Sequence, residues 1–459
     1  MSELDSAPMG PTEKEAAERE PPATSARGVA ARVVYRVLTQ QAFVSETLDR
    51  ELGRSELDER DRGLATELSY GVIRLQRVLA ERLDALSKRG AATTDPLARS
   101  HLLVGAYQLL ALDRVPAFAA INEAVEALRR TRGARVAGFA NAILRRLAGE
   151  PKLTLPDALA RSVPGWLWAE LERSVGRESA LGLLGATGAA ARRGLCVRLR
   201  PGAPSSLPWL ASAEPGRLAP GAFWLPPCGD LRKLEGFAEG QFVVQEEGAQ
   251  WAALALGAQP GERVLDACAG HGQKSALLAE RIGPSGRLWV NDLVPRKLER
   301  LSQEFRRLGL PLPECRSVDL AVTAGDLPAD MQRVLVDAPC TGTGTLRRRP
   351  EIANRLSEGD PRRLGEQALR LLCNAASRVQ PGGHVLFVVC SVLRAECEDV
   401  VERALHRGDT PHPGQLLEPL PFQAPEAQRV AGPGEWQCRL LPQIHGTDAY
   451  YVASFRRRA

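Results

Sequence analysis

The sequence predicts a multidomain chain: an all-α helical domain, a small mixed α/β module, and a C-terminal α/β domain built on a doubly wound parallel sheet. Three observations carry that prediction. Apolar residues recur at helical spacing from Gly28 to Gly149. Pro and Gly then crowd the stretch from Glu150 to Glu239. From about Gln241 short apolar runs alternate with longer helical stretches, the rhythm of parallel strands joined by helices. A length of 459 residues is consistent with this, since domains average roughly 150 residues.

Residues 1–27 are rich in Glu, Ala, Pro and Ser and lack apolar periodicity, so a disordered tail is expected there. Residues 28–150 read as helical throughout. Ala30, Val33, Val34, Val37 and Leu38 fit the i, i+3, i+4, i+7, i+8 pattern, and Ile121, Ala124, Val125 and Leu128 repeat it. Lys88-Arg89-Gly90 and Arg132-Gly133 supply breaks between helices. The outer faces carry arginines such as Arg129, Arg130, Arg135, Arg145 and Arg146, suited equally to solvent and to an RNA-contacting face.

Residues 151–240 read as a small α/β linking module, with strand-like runs at Leu195–Leu199 and Ala222–Leu225. In residues 241–459 the expected strands are Arg263–Cys268, Arg287–Asn291, Arg333–Val336 and His384–Cys390. The expected helices are Lys274–Arg281, Arg296–Leu308, Gly365–Val379 and Cys397–Arg407.

Composition narrows the function classes. Hydrophobic residues make up 44% and charged residues 25%, which excludes a wholly disordered chain. No apolar run approaches the ~18 residues of a membrane span, and Met1–Arg27 has no signal-peptide core, so a cytoplasmic protein without a membrane partner is expected. The nine cysteines form no CxxC pair, which argues against a zinc ribbon or any other metal site and against a disulfide framework. A net charge of +5, carried mostly by arginine, permits nucleic-acid binding without requiring it.

The run Val264-Leu265-Asp266 leads into Ala267-Cys268-Ala269-Gly270-His271-Gly272-Gln273-Lys274-Ser275, a G-x-G-x-x-S at a strand-to-helix turn. Glycines there let the backbone turn tightly and approach a ligand. Asp292 ends the next strand, where an acid can accept hydrogen bonds from both hydroxyls of a ribose. NAD and S-adenosylmethionine both carry an adenosine ribose, so this half of the site does not separate them. Asp319 follows another possible strand and could reach an adenine amino group.

Two further strand ends do discriminate. Asp337-Ala338-Pro339-Cys340 ends one strand and Val389-Cys390-Ser391 the next. In an open parallel sheet ligands bind beyond the carboxyl ends of the strands, so Cys340 and Cys390 are expected to share the cofactor cleft. Two cysteines and an acid suit methylation of cytosine C5. That carbon is a weak nucleophile until a thiolate adds to C6, and an acid near N3 relieves the charge that develops. A nicotinamide oxidoreductase would explain the glycine loop but not the two cysteines.

Asp337-Ala338-Pro339-Cys340 with Cys390-Ser391 resembles the signature of RNA cytosine-5 methyltransferases. More narrowly, the chain resembles the bacterial 16S rRNA group known as RsmB, Sun or Fmu, which places a NusB-like helical domain before the catalytic one. Ile121–Val125 and Gly138–Leu147 match that helical domain, and the resemblance spans roughly residues 28 to 457. It implies a NusB-like RNA-binding domain followed by a Rossmann-like methyltransferase domain that uses S-adenosylmethionine. It implies Cys390 as the nucleophile on C6, Cys340 as the residue assisting elimination and RNA release, and Asp337 as a contact to the base and a cofactor-site residue. Cys268, Ala269, Gly270, His271, Gly272, Gln273 and Lys274 would form the loop around the methionine part, with Asp292 on the ribose and Asp319 near the adenine. Arg347 and Arg348 match the segment after the DAPC loop and are expected to meet RNA phosphates. The family loop commonly reads CAAPGGKT. Here His271 and Gln273 replace proline and glycine, and a positive φ at 273 would drive that side chain toward the ligand.

The activity expected is therefore methylation of C5 of a cytosine in RNA, most naturally 16S rRNA, by a monomer working through a covalent Cys390–C6 adduct. The alternatives are the same chemistry on tRNA or another RNA, and an RNA-binding ribosome-assembly protein impaired in catalysis.

Overall fold

A computed structural model describes residues 23–87, 95–186, 195–226, 231–406 and 416–458. The segment 1–22, the break at Lys88-Arg89-Gly90, Arg407 and Cys228 lie outside the described residues. The chain divides into two units, one comprising Met1–Val163 with Arg348–Glu351 and the other Pro164–Arg347 with Ile352–Ala459.

The first unit is helical among its described residues: α1 Ala26–Gln40, α2 Val44–Gly53, α3 Glu59–Leu86, α4 Pro96–Ala111, α5 Ala117–Arg132, α6 Ala134–Leu147 and α7 Leu155–Ser162. Ser25, Asp58 and Asp95 cap α1, α3 and α4 by accepting backbone N–H groups of the first turn. Ala26 and Arg27, read from sequence as part of the tail, thus already belong to a capped helix. The α4 helix is apolar nearly all round, and α1, α3, α5 and α6 pack against it, so it forms the centre of the bundle. Gly133, at φ 83°, makes the expected break between α5 and α6.

The second unit opens with helices α8 Gly165–Val175 and α9 Arg177–Gly185, which the sequence reading did not identify. A small antiparallel sheet follows in the order β2-β3-β1-β4, from β1 Leu195–Leu199, β2 Glu214–Pro215, β3 Ala222–Leu225 and β4 Phe242–Val244. The remainder is Rossmann-like. Helix α10 Glu247–Ala255 leads to β5 Arg263–Asp266, α11 Gln273–Ile282, β6 Arg287–Asn291, α12 Pro295–Arg307, β7 Glu314–Arg316 and β8 Met331–Asp337. It continues with α13 Asp360–Ala376, β9 Val379–Val389, α14 Glu398–Leu405, β10 Leu417–Pro419, α15 Pro425–Ala431, β11 Gln437–Leu440, α16 Pro442–His445 and β12 Tyr450–Arg457.

The large sheet has the order β10-β12-β9-β8-β5-β6-β7, with β11 also on β12. Strands β5 to β9 are mutually parallel, as the sequence predicts. Strand β12 is antiparallel to β9 and carries β10 and β11, so the sheet is mixed rather than wholly parallel. Helix α13 stops at Ala376, and Val379, expected to end it, instead begins β9.

Strand alternation sends Leu265, Val334, Val336, Phe387 and Val389 to a core closed by α13 and α14. Their neighbours Val264, Leu335, Leu386 and Val388 enter a second core closed by α10, α11 and α12. Burial on both faces is why these strands read as continuous apolar runs. After β5 the chain builds outward through β6 and β7, then returns to place β8 on the opposite side of β5. The loops after β5 and β8 therefore diverge and leave a crevice between them. Among the described residues no helix is long and apolar enough to cross a membrane.

Candidate active site

The loop after β5 is shaped by two glycines. Gly270 and Gly272 have φ of 56° and 84°, whereas Gln273 has no positive φ and begins α11. The backbone does not require glycine at 273, and both His271 and Gln273 point outward as exposed residues. A Cβ added at Gly272 would run into Leu301 of α12, while one at Gly270 would meet open space. The crest of the loop is therefore free to receive a ligand.

Asp292, just past β6, accepts the Gly270 N–H at 3.0 Å and the Val294 N–H at 2.9 Å, with Lys297 at 3.9 Å. Its neighbour Asn291, not singled out from sequence, ties the loops at this end of the sheet together. The buried Asn291 amide donates to the carbonyls of Ala267 and Val318 at 3.2 and 3.1 Å, and its oxygen accepts the Val318 N–H at 2.8 Å. One side chain thus ties together the loops bearing Cys268, Asp292 and Asp319. The exposed Asp319 caps its own turn through the Ala321 N–H at 3.1 Å. The signal for Asn291 was its position as the last residue of β6, one before the acid.

Beneath the loop, Asp266 is fully buried and accepts the Ser275 hydroxyl at 2.7 Å, while its other oxygen has no hydrogen-bond partner. Burial pushes its pKa up to about 7 despite the Ser275 bond. Burial, followed by the nearby carboxylates, also drives the Cys268 thiol well above its ordinary range. Lys274, on the first turn of α11, reaches across to Asp337 at the end of β8 with Nζ–Oδ2 of 2.6 Å. Burial opposes its charge, yet the Asp337 carboxylate outweighs burial and raises the lysine pKa. The Lys274 ammonium also lies 5.7 Å from the Tyr450 ring centroid.

The sulfurs of Cys340 and Cys390 are 3.4 Å apart. The hydrogen bond from Cys340 is the largest influence on Cys390 and lowers its pKa, against desolvation and Asp337. The same bond, with burial, raises Cys340 well above its usual value. The contact thus makes Cys390 the more acidic thiol of the pair and Cys340 the less acidic. The loops bearing the two thiols are stitched together. The Gly344 N–H donates to the Cys390 carbonyl and the Gly344 carbonyl accepts from Ala449, both at 2.9 Å. A Cβ at Gly344 would fall 2.9 Å from the Cys390 oxygen, so the approach depends on glycine.

The expectation for Arg347 is corrected by its surroundings. Its guanidinium is 3% exposed and holds Asp448 at 2.6 Å and Glu246 at 2.9 Å. Glu246 in turn caps α10 through the N–H groups of Gly248 and Ala249. Arg347 is an internal tie, because a bidentate cation between two buried carboxylates is already satisfied and cannot turn out to a phosphate. Arg348 is half-buried and falls in the helical unit, so these adjacent arginines belong to different units. Cys196, Cys373 and Cys397 are buried, whereas Cys315 and Cys438 are partly exposed.

The residues present fit an adenosyl cofactor bearing a ribose. The open loop crest, the Asp292 carboxylate at the sheet edge and the half-satisfied Asp266 below them form a polar cradle beside the two thiols.

Comparison with known proteins points the same way. The family model described as 16S rRNA methyltransferase RsmB/F matches residues 253–456, and that of the NusB family matches residues 24–149. Ribosomal RNA small subunit methyltransferase B of Thermus thermophilus is 34% identical, over 89% of this chain and 92% of the relative. The protein of the same name from Pseudomonas putida is 32% identical, over 93% and 97% respectively. Among solved structures, PH0851 shares the fold with a TM-score of 0.76 at 20% identity, covering 95% of this chain and all of that one.

Proposed function

The chain belongs to the 16S rRNA methyltransferase RsmB/F family, and from that membership and the paired thiols we propose that it methylates C5 of a cytosine in small-subunit ribosomal RNA. The observation that carries the chemistry is the 3.4 Å approach of Cys340 and Cys390 at adjacent strand ends beside Asp337. A binding or assembly role would need neither the thiol pair nor the Lys274–Asp337 bridge.

S-adenosylmethionine would be held by the loop from Cys268 to Lys274 with Asp292 on the ribose and Asp319 toward the adenine, and it supplies an electrophilic methyl group. The protein's task is to make C5 nucleophilic. The Cys390 thiolate, stabilised by the Cys340 S–H, adds to C6, and the C5=C6 electron pair moves into the ring toward N3. Asp337, bridged to the Lys274 ammonium, contacts the base edge where that charge develops. C5 then takes the methyl group that S-adenosylmethionine would supply, whose carbon–sulfur bond would break as the new one forms and leave S-adenosylhomocysteine. Cys340, after passing its own proton to solvent once Cys390 is bonded to C6, takes the C5 proton as the C6–S bond breaks and Cys390 leaves as thiolate.

The test is methyl transfer from labelled S-adenosylmethionine to total RNA from a strain lacking the gene, followed by mapping of 5-methylcytosine. Label in 16S rRNA at a cytosine C5 is the expected result. Label only in tRNA would move the substrate, and no transfer to any RNA would refute the activity. Cys390→Ala should abolish transfer, whereas Cys340→Ala should accumulate a covalent protein–RNA adduct. An adduct that survives loss of Cys390 but requires Cys340 would reverse the two roles.

A further inference from the structure

The β8–β9 ladder cannot by itself set the distance between the two sulfurs. Its last paired residues are Asp337 and Val388, with one further bond from the Ala338 N–H to the Val388 carbonyl. Cys340 and Cys390 lie beyond that point, on loops whose backbones are no longer in register with each other. Something other than the sheet must hold Cys340 against Cys390.

Glu396, in the short turn Arg394–Glu396 after β9, is fully buried. Its carboxylate grips the residues that directly follow the two cysteines. One oxygen accepts the Thr341 backbone N–H at 2.6 Å, and the other accepts the Thr341 and Ser391 hydroxyls, each at 2.5 Å. The ring closes through Thr343, whose hydroxyl lies 3.0 Å from that of Ser391. The N–H groups of Leu393 and Val392 then donate to Ser391 and Thr343 at 3.1 and 3.3 Å. The Thr341 N–H can only donate, whereas the two hydroxyls donate to the carboxylate and can turn to accept from it when it is protonated, so the clamp survives in either form.

We propose that Glu396 is a positioning residue for the thiol pair: it clamps the loops after β8 and β9 so that the Cys340 thiol stays bonded to Cys390 and keeps Cys390 nucleophilic. Burying a carboxylate costs stability that an apolar side chain would not. Desolvation accordingly raises its pKa to about 7, despite the bonds from Ser391 and Thr341. The charged and titratable groups facing it are Cys340 from the β8 loop, Asp360 from α13 and Cys397 on the adjoining turn. The inference rests on the catalytic reading above only for the meaning of the thiols. The clamp itself is a statement about geometry.

The test is therefore a thiol measurement on the full-length protein alongside an activity measurement. Alkylation of Cys390 by iodoacetamide, followed by mass spectrometry across pH, reports its thiolate fraction whether or not RNA is methylated. Glu396→Gln should raise the alkylation midpoint by about one pH unit, a roughly tenfold loss of thiolate at neutral pH. The rate of methyl transfer should fall by a similar factor, with KM for RNA unchanged. The double variant Thr341→Val/Ser391→Ala removes the same hydroxyl bonds without touching the acid. It should reproduce the shift and decides the matter if Glu396→Gln fails to fold. A folded variant with the wild-type alkylation profile and rate would overturn the clamp. If the wild-type protein makes no 5-methylcytosine, the functional reading falls, while the alkylation shift still decides the role of Glu396.

Discussion

Replacing Arg347 by methionine separates an internal tie from an RNA contact. Methionine keeps much of the side-chain volume but removes a charge lodged between Asp448, at 0% exposure, and Glu246, whose side chain is 8% exposed. Glu246 keeps the bonds from Gly248, Ala249 and Asp448 backbone N–H groups, so part of its charge remains satisfied. Asp448 loses the Arg347 guanidinium. Removing one partner of a buried ion pair costs about 3–5 kcal/mol. With roughly 2–4 °C lost per kcal/mol in a domain of this size class, the melting temperature should fall on the order of 10 °C. Thermal unfolding followed by circular dichroism measures this, and filter binding to rRNA across a salt series supplies the contrast. If the guanidinium met a phosphate, the salt slope would drop by about one and the melting temperature would hold. That second pattern would refute the burial argument.

Other outcomes follow from the same structure. Asn291→Ala should raise KM for S-adenosylmethionine more than it lowers kcat, and should cost about 1–3 kcal/mol in unfolding free energy, because three hydrogen bonds joining the cofactor loops disappear. Gly344→Ala should abolish methyl transfer while RNA binding persists, since the new methyl group would run into the Ala449 carbonyl and crowd that of Cys390, breaking the stitch between the two loops. Asp266 has a folded pKa near 7 against an ordinary value of 3.8, so the folded state holds its proton more tightly. Its contribution to stability is full below about pH 4 and is lost as the pH rises through 7. Urea titrations should therefore show Asp266→Asn gaining on wild type by on the order of 2–3 kcal/mol between pH 5 and pH 8. A pH-independent difference would mean the carboxyl is not protonated in the folded state.

The sheet strands and the helices that cover them were legible because their signals are local. Val334–Val336 and Val385–Val389 are buried on both faces and so read as unbroken apolar runs. Strand β12 escaped notice because nothing near Tyr450 announces that it pairs with β9, about sixty residues earlier in the chain. Helices α8 and α9 were missed for another reason: the Pro and Gly further along the same stretch hid their short apolar spacing. The cysteines, Asp337 and Asp292 were singled out from their places at strand ends, and Lys274 from the loop that the family resemblance implied. Asn291 and Glu396 have roles that exist only through their bonding partners, and a lone Asn or Glu carries no mark of that.

The sequence by itself determined which chemical groups stand at the carboxyl ends of the strands, because strand and turn periods are written in neighbouring residues. It determined as well that glycine was needed at 270 and 272 in the loop after β5. Tertiary structure alone decided that Arg347 turns inward while Arg348 falls in the other unit, that the two sulfurs approach to 3.4 Å, and that one buried carboxylate spans both thiol loops. Apart from Glu396–Ser391, those contacts join residues fifty to a hundred positions apart, and only the packed sheet and its loop closures bring such residues within hydrogen-bond reach.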